Sequence, residues 1–169
     1  AYEILRCLVG SEMCIRDRGV RQNGLKIAFV PQNPTFPEGM DIRSYALQDA
    51  DAESWQVESN LTELGITQWD QKIDTLSGGQ RRRVVLAKIL AGDFDVLLLD
   101  EPTNHLDQEM ISWLEDYLRS YRGTVLMVTH DRYFLDRVTN RILELSHGKM
   151  YGYDADYSGF LELKAQREE

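Results

Sequence analysis

The chain has 169 residues, 43% of them hydrophobic and 28% charged, with a formal net charge of −9, which suits one globular domain or a large part of one. No apolar run approaches the roughly 20 residues that span a bilayer, so no direct membrane insertion is expected. The acidic balance disfavours broad binding to phosphate backbones, although the cluster Arg81-Arg82-Arg83 remains available for a specific contact.

In chain order, residues 1–18, AYEILRCLVGSEMCIRDR, show neither helical nor strand periodicity and carry no net charge. They are similar to translated sequencing-library adapter: Ala1 to Ile4 match one adapter end, and Leu8 to Arg18 match a transposase adapter. They are expected to be an artefact and are set aside from fold reasoning. Cys7 and Cys14 fit no common zinc spacing, and the cysteine-free remainder suits the cytosol. Leu25 to Gln32, LKIAFVPQ, reads as a short strand running into a Pro-rich loop. Asp41 is placed to cap a short helix reaching about Asp49. The next helical segment puts Trp55, Leu61 and Leu64 on one face and stops at Gly65. LSGGQ, Leu76 to Gln80, opens a helix to about Leu90.

DVLLLDEP is a continuous apolar run closed by acids, as in a buried parallel strand whose carboxyl end lies at a site. Gln108 to Tyr121 reads as a helix with Met110, Leu114 and Leu118 at spacings of four. Gly123 precedes the strand TVLMVTH, and DRYFLDRV is a short helix. RILELSHGKMYGY is a strand, a turn at His147-Gly148, and a second strand. From Tyr157 the chain is polar and helical. Strands alternating with helices point to an α/β fold with a largely parallel core sheet.

Several of these positions carry chemistry. Asp100 and Glu101 stand where an apolar strand emerges. In phosphoryl-transfer sites such an aspartate holds Mg²⁺, usually through water, and a neighbouring carboxylate can polarise an attacking water. Two solvated strand-end acids are the plainer alternative. His130 follows another strand, and Gln32 a third. Ser77, Gly78 and Gly79 at a helix start present backbone N–H groups suited to an anion.

Taken together, Gln32, the signature Leu76-Ser77-Gly78-Gly79-Gln80, Asp100-Glu101, Asp107 and His130 resemble the ATP-binding cassette (ABC) ATPases, over essentially all of Gly19 to Tyr157. The resemblance implies a P-loop NTPase-like α/β fold with a helical signature subdomain, and ATP and Mg²⁺ as ligands. It implies that Gln32 senses Mg²⁺ and the γ-phosphate, and that Asp100 serves the metal. Glu101 would orient the attacking water, and His130 would contact the γ-phosphate. Ser77, Gly78, Gly79 and Gln80 would close over ATP held by a facing cassette, with Asp107 acting across that interface. His105 and His147 are read as structural.

Within the family, EPTNHLD, THDRYFLD and YDADYSGFLELKAQREE resemble the ABC-F group, and first cassettes in particular. Those proteins carry two cassettes in one chain, lack transmembrane domains, and many work on the ribosome. The resemblance implies a second cassette and the ribosome as partners, a cytoplasmic location, and a cassette over residues 19–156 followed by the start of an inter-cassette linker helix at 157–169. DADYS departs from the group, which often has Gly-Asn before the tyrosine. A transporter ATPase subunit, and a non-catalytic module using only the signature surface, are the alternative readings. No G-x-x-x-x-G-K-S/T occurs: Gly19 and Gly24 have the spacing, but Leu25 and Lys26 replace the lysine and the hydroxyl residue. The chain is therefore expected to be a fragment lacking the phosphate-loop strand and helix, inactive by itself.

Overall fold

The computed structural model describes residues 24–168; the segment 1–18 read as adapter-like lies outside them. Three parallel strands form the core sheet in the order β1-β2-β3: β1 (Ile27–Val30), β2 (Val96–Asp100) and β3 (Thr124–Val128). The central strand is the apolar run VLLLD. Leu97 and Leu99 are fully buried and Leu98 nearly so, as a strand covered on both faces and both edges requires. Between β1 and β2 run α1 (Ile42–Leu47), α2 (Ser54–Glu63), a 3-10 turn (Ile73–Thr75) and α3 (Gly78–Leu90). Between β2 and β3 runs α4 (Gln108–Ser120). After β3 come α5 (Arg132–Val138), the antiparallel hairpin β4 (Ile142–Ser146) and β5 (Lys149–Tyr153), and α6 (Tyr157–Glu168).

Local chemistry explains where the helices begin. Asp41 accepts from the Ser44 N–H at 2.8 Å, Asp107 from Met110 at 3.0 Å and Asp131 from Phe134 at 3.0 Å. At α3 the cap is reciprocal: Ser77 Oγ accepts from the Gln80 N–H (3.2 Å), and Gln80 Oε1 accepts from the Ser77 N–H (3.0 Å). A cap of this kind contributes about 0.5–2 kcal/mol.

One apolar cluster joins these pieces. Ala28, Val30, Leu97 and Leu99 share one face of the sheet and belong to one cluster with Val84, Val85 and Leu86 of α3 and Met110, Leu114 and Leu118 of α4. Full burial of such side chains contributes about 1.5–3 kcal/mol each. On α2 the inward stripe is Val57 and Leu61, continued by Leu64. Trp55, expected on that face, is 66% exposed. It stands two residues before Val57, which on a helix of 3.6 residues per turn is the far side.

The arginine cluster is not a surface patch either. Arg82 is 3% exposed, Arg81 donates to the carbonyls of Ile73 and Asp74, and Arg83 pairs with Asp107 at 2.5 Å. Among the described residues no helix is long and apolar enough to cross a membrane.

Candidate functional site

Parallel strands bring their carboxyl ends to one edge, where open α/β sheets place their ligand crevices. The register pairs Val30 with Leu99 and Asp100 with Val128. The residues just beyond β1, β2 and β3 therefore meet, and Gln32, Asp100, Glu101 and His130 line one cleft of about 460 Å³ together with Thr103, Asn104 and His105.

Asp100 is 8% and Glu101 7% exposed. Glu101 sits at φ 45°, a left-handed backbone that disfavours a side chain and persists only where its surroundings impose it. Its N–H donates to the Val128 carbonyl at 2.8 Å, extending the β2–β3 pairing by one bond. Its carboxylate accepts from the His130 backbone N–H at 3.3 Å and lies 3.4 Å from His130 Nε2. The imidazole is otherwise open, with the side chain 97% exposed.

Burial pushes the Asp100 carboxyl above its ordinary value, and the adjacent Glu101 charge pushes it further; Arg82 and the Gln32 backbone N–H pull it back. Two neighbouring carboxylates in a poorly solvated cleft are a setting that favours a cation. Among the described residues no three His, Cys, Asp or Glu cluster as a metal cage. Mg²⁺ does not need one, since it binds one or two carboxylates and completes its shell with water and phosphate oxygens. Asp100 suits a Mg²⁺ that arrives with a nucleotide.

Ser77, Gly78, Gly79, Gln80 and Asp107 do not line this cleft. They sit at the N-termini of α3 and α4. The two helix starts touch: a Cβ on Gly79 would fall 2.6 Å from the His105 carbonyl oxygen, and Arg83 binds Asp107. A Cβ on Gly78 would meet nothing within 4 Å. The absence of a side chain at Gly79 is explained within the chain, whereas at Gly78 it is not.

Sequence reasoning passed over Arg82. Its guanidinium donates to the carbonyls of Asp100 (2.9 Å), Glu101 (3.1 Å), Gln32 (3.4 Å) and, closest, Pro31. The signal was present: Arg82 falls on the same helical stripe as Val85, Leu86 and Ile89, where a charge has to be partnered.

This edge-on cleft, with a capped glycine pair at the start of the neighbouring helix, defines an ATP-binding cassette domain. A family profile described as ABC transporter matches residues 8–104, and the chain belongs to that family, whose ATPase domains bind ATP, typically with Mg²⁺. The match begins inside the segment set apart above as adapter-like.

Two curated relatives and one solved structure show the likeness. The chain is 56% identical over 108 residues to the uncharacterized ABC transporter ATP-binding protein YfmR of Bacillus subtilis, covering 64% of this chain and 17% of that one. It is 51% identical over 120 residues to the energy-dependent translational throttle protein EttA of Mycobacterium tuberculosis, covering 69% of this chain and 22% of that one. A model of ribosome-bound archaeal Pelota and ABCE1 superposes with a TM-score of 0.68 at 27% identity, over 88% of this chain and 27% of that chain. The chain thus spans less than a quarter of the length of the two curated relatives.

Proposed function

We propose that this chain is the catalytic-edge and signature portion of a cassette in a two-cassette, cytoplasmic ABC-F type ATPase that couples ATP hydrolysis to work on the ribosome. The observation that carries the ATPase reading is the convergence of Gln32, Asp100, Glu101 and His130 on one cleft. The ribosomal reading draws support from the likeness to a protein named as a translational throttle and from the NHLD and THDRYFLD segments. In this reading residues 19–156 belong to the cassette, and α6 begins the connection to the second one.

Each residue has a role that its position allows. Mg²⁺, when bound, neutralises phosphate charge and orients the β- and γ-phosphates; Asp100 serves it, through water. Glu101, fixed by the His130 N–H, accepts a proton from the attacking water and directs it in line. His130 extends its free ring edge toward the γ-phosphate, and Gln32 reports metal and phosphate to the loop after β1.

Ser77, Gly78, Gly79 and the first N–H groups of α3 face a γ-phosphate held by the opposite cassette, where the helix dipole favours negative charge. Gln80 holds the Ser77 cap, and Asp107 stands beside that surface. The described residues hold no phosphate-cradling loop. Each hydrogen bond such a loop would make to charge is worth about 1.5–3 kcal/mol, so the 169-residue chain alone is expected to bind Mg-ATP weakly.

The test uses the two-cassette protein. Glu101→Gln should lower hydrolysis by about 10²–10⁴-fold and accumulate the ATP-closed form, read by fluorescence energy transfer between cassettes and by ATP-dependent co-sedimentation with ribosomes. Ser77→Arg should abolish closure while leaving ATP binding at the facing cassette. Wild-type turnover in Glu101→Gln would refute the reading.

A further inference from the structure

The β1–β2 ladder ends at the pair Val30–Leu99, just short of the residues that matter. Beyond it Pro31 has no N–H to donate, and Glu101 turns into a left-handed backbone at φ 45°. Two chain ends that carry Gln32 and Glu101 are thus left without sheet bonds between them; the Glu101 carbonyl accepts from the Asn104 N–H at 3.2 Å within its own loop, and no backbone bond ties the carbonyls at Pro31, Gln32, Asp100 and Glu101 across the two segments. One side chain serves all four. Arg82 comes from α3, is 3% exposed, and divides its donors: Nη1 to Pro31 and Gln32, Nη2 to Asp100 and Glu101.

A purely packing position would be filled better by an aliphatic residue, because burying a cation carries a desolvation cost. That cost is visible in the molecule. The Arg82 Nε is buried without a hydrogen-bond partner, and burial pulls its pKa down against the pull of Asp100 and Glu101. The planar fork of arginine can address two chain segments at once; a lysine ammonium, with three donors on one atom, cannot match it. The same helix begins with Ser77, Gly78 and Gly79, so the signature end and the catalytic edge are joined by a rigid lever one turn long.

We propose that Arg82 is a positioning residue, which replaces the missing ladder bonds and holds the backbones of Gln32 and Glu101 in fixed relation to the helix that starts with the signature glycines. Its consequence for turnover rests on the ATPase reading above; its effect on the backbone does not.

The experiment compares Arg82→Lys and Arg82→Gln with the parent by amide hydrogen exchange of the 169-residue chain, and by steady-state kinetics in the two-cassette protein. The amides of Glu101, Asn104 and His130 report the edge, since they bond to Val128, Glu101 and the Glu101 carboxylate. Both variants should exchange there about tenfold faster or more, with β4 and β5 within about twofold of the parent. In turnover, kcat should fall about tenfold or more while KM stays within about threefold, because substrate contacts are intact and alignment is not.

Unchanged exchange at the three amides would overturn the proposal. So would a uniform rise across every segment in both variants, which would make Arg82 a general core residue. If the wild-type two-cassette protein hydrolyses no ATP, the ATPase reading fails while the exchange result still decides the role of Arg82.

Discussion

Gly78 and Gly79 are adjacent and chemically identical, yet the structure separates their roles. At Gly79 a methyl group would collide with the His105 backbone at 2.6 Å. His105 itself sits at φ 63° and has little freedom to retreat without disturbing the turn that leads to Asp107. Gly79→Ala should therefore destabilise the fold by about 1–3 kcal/mol, the usual cost of overpacking. Gly78 faces open space, and an alanine there removes chain entropy from the unfolded state and favours the helix, so Gly78→Ala should be neutral or stabilising by up to about 1 kcal/mol. In the two-cassette protein the same Gly78→Ala should impair ATP-driven closure, because the space it fills is where the facing phosphate is proposed to come. Urea unfolding of both variants with a closure assay separates the effects; equal destabilisation by the two alanines would contradict this account.

At the level of elements, α6 is clasped to the hairpin by one carboxylate. Glu144 of β4 accepts from Tyr153 Oη at 3.1 Å, meets Arg167 Nη1 at 3.0 Å and pairs with Lys164 Nζ. Tyr153 packs edge-on against Phe160 at 5.0 Å, and Asp136 of α5 caps the first turn of α6 through the Ser158 N–H at 2.8 Å. The Lys164 hydrogen bond, assisted by those from Tyr153 and Arg167, holds the Glu144 pKa below its ordinary 4.5. The charged carboxylate is thus favoured by the folded clasp. Its contribution is complete above pH 4.5 and is lost as pH falls through the depressed folded value. Helicity at 222 nm should drop in that acid window as α6 loosens, and Glu144→Gln should show the loosened signal already at neutral pH with no transition there.

Element bounds are legible in the sequence where caps and apolar periods announce them: Asp41 caps its helix as read, and the helices read at LSGGQ, Gln108 and DRYFLDRV start on the caps Ser77, Asp107 and Asp131. Faces were harder. RILELS reads as a strand with no face assigned, and the fold turns Glu144 inward and Leu143 and Leu145 outward, since Lys164 and Arg167 of α6 meet Glu144. Arg82 was hidden for the same reason. A buried charge is intelligible only once its acceptors, here four carbonyls from two distant loops, are known. The cleft residues stood out one by one as strand-end groups, and it took the parallel register to bring them together.

For the whole molecule, the hairpin leaves Leu143 48%, Leu145 66% and Met150 66% exposed, with Leu145 and Met150 directly paired across the strands. Among the described residues β3 is an edge strand of the core sheet, with Val128 41% exposed, although parallel sheets are ordinarily covered on both faces and an open edge invites pairing. Against association stands the net charge of −9, whose repulsion reaches about 8 Å at physiological ionic strength and about 3 Å at 1 M salt. Apolar attraction, at about 25 cal/mol per Å² buried, does not weaken with salt. The balance should therefore tip toward self-association as sodium chloride rises, the opposite of what an interface held by surface ion pairs would do. Sedimentation of the 169-residue chain at about 0.05 and 1 M salt reads the sign. Leu145→Lys with Met150→Glu places an opposite-charge cross-strand pair on the same spot, and it should keep the chain monomeric at both salt concentrations without shifting its melting temperature. A parent chain that stays monomeric in high salt would show that these apolar faces are too small or too dispersed to bind one another.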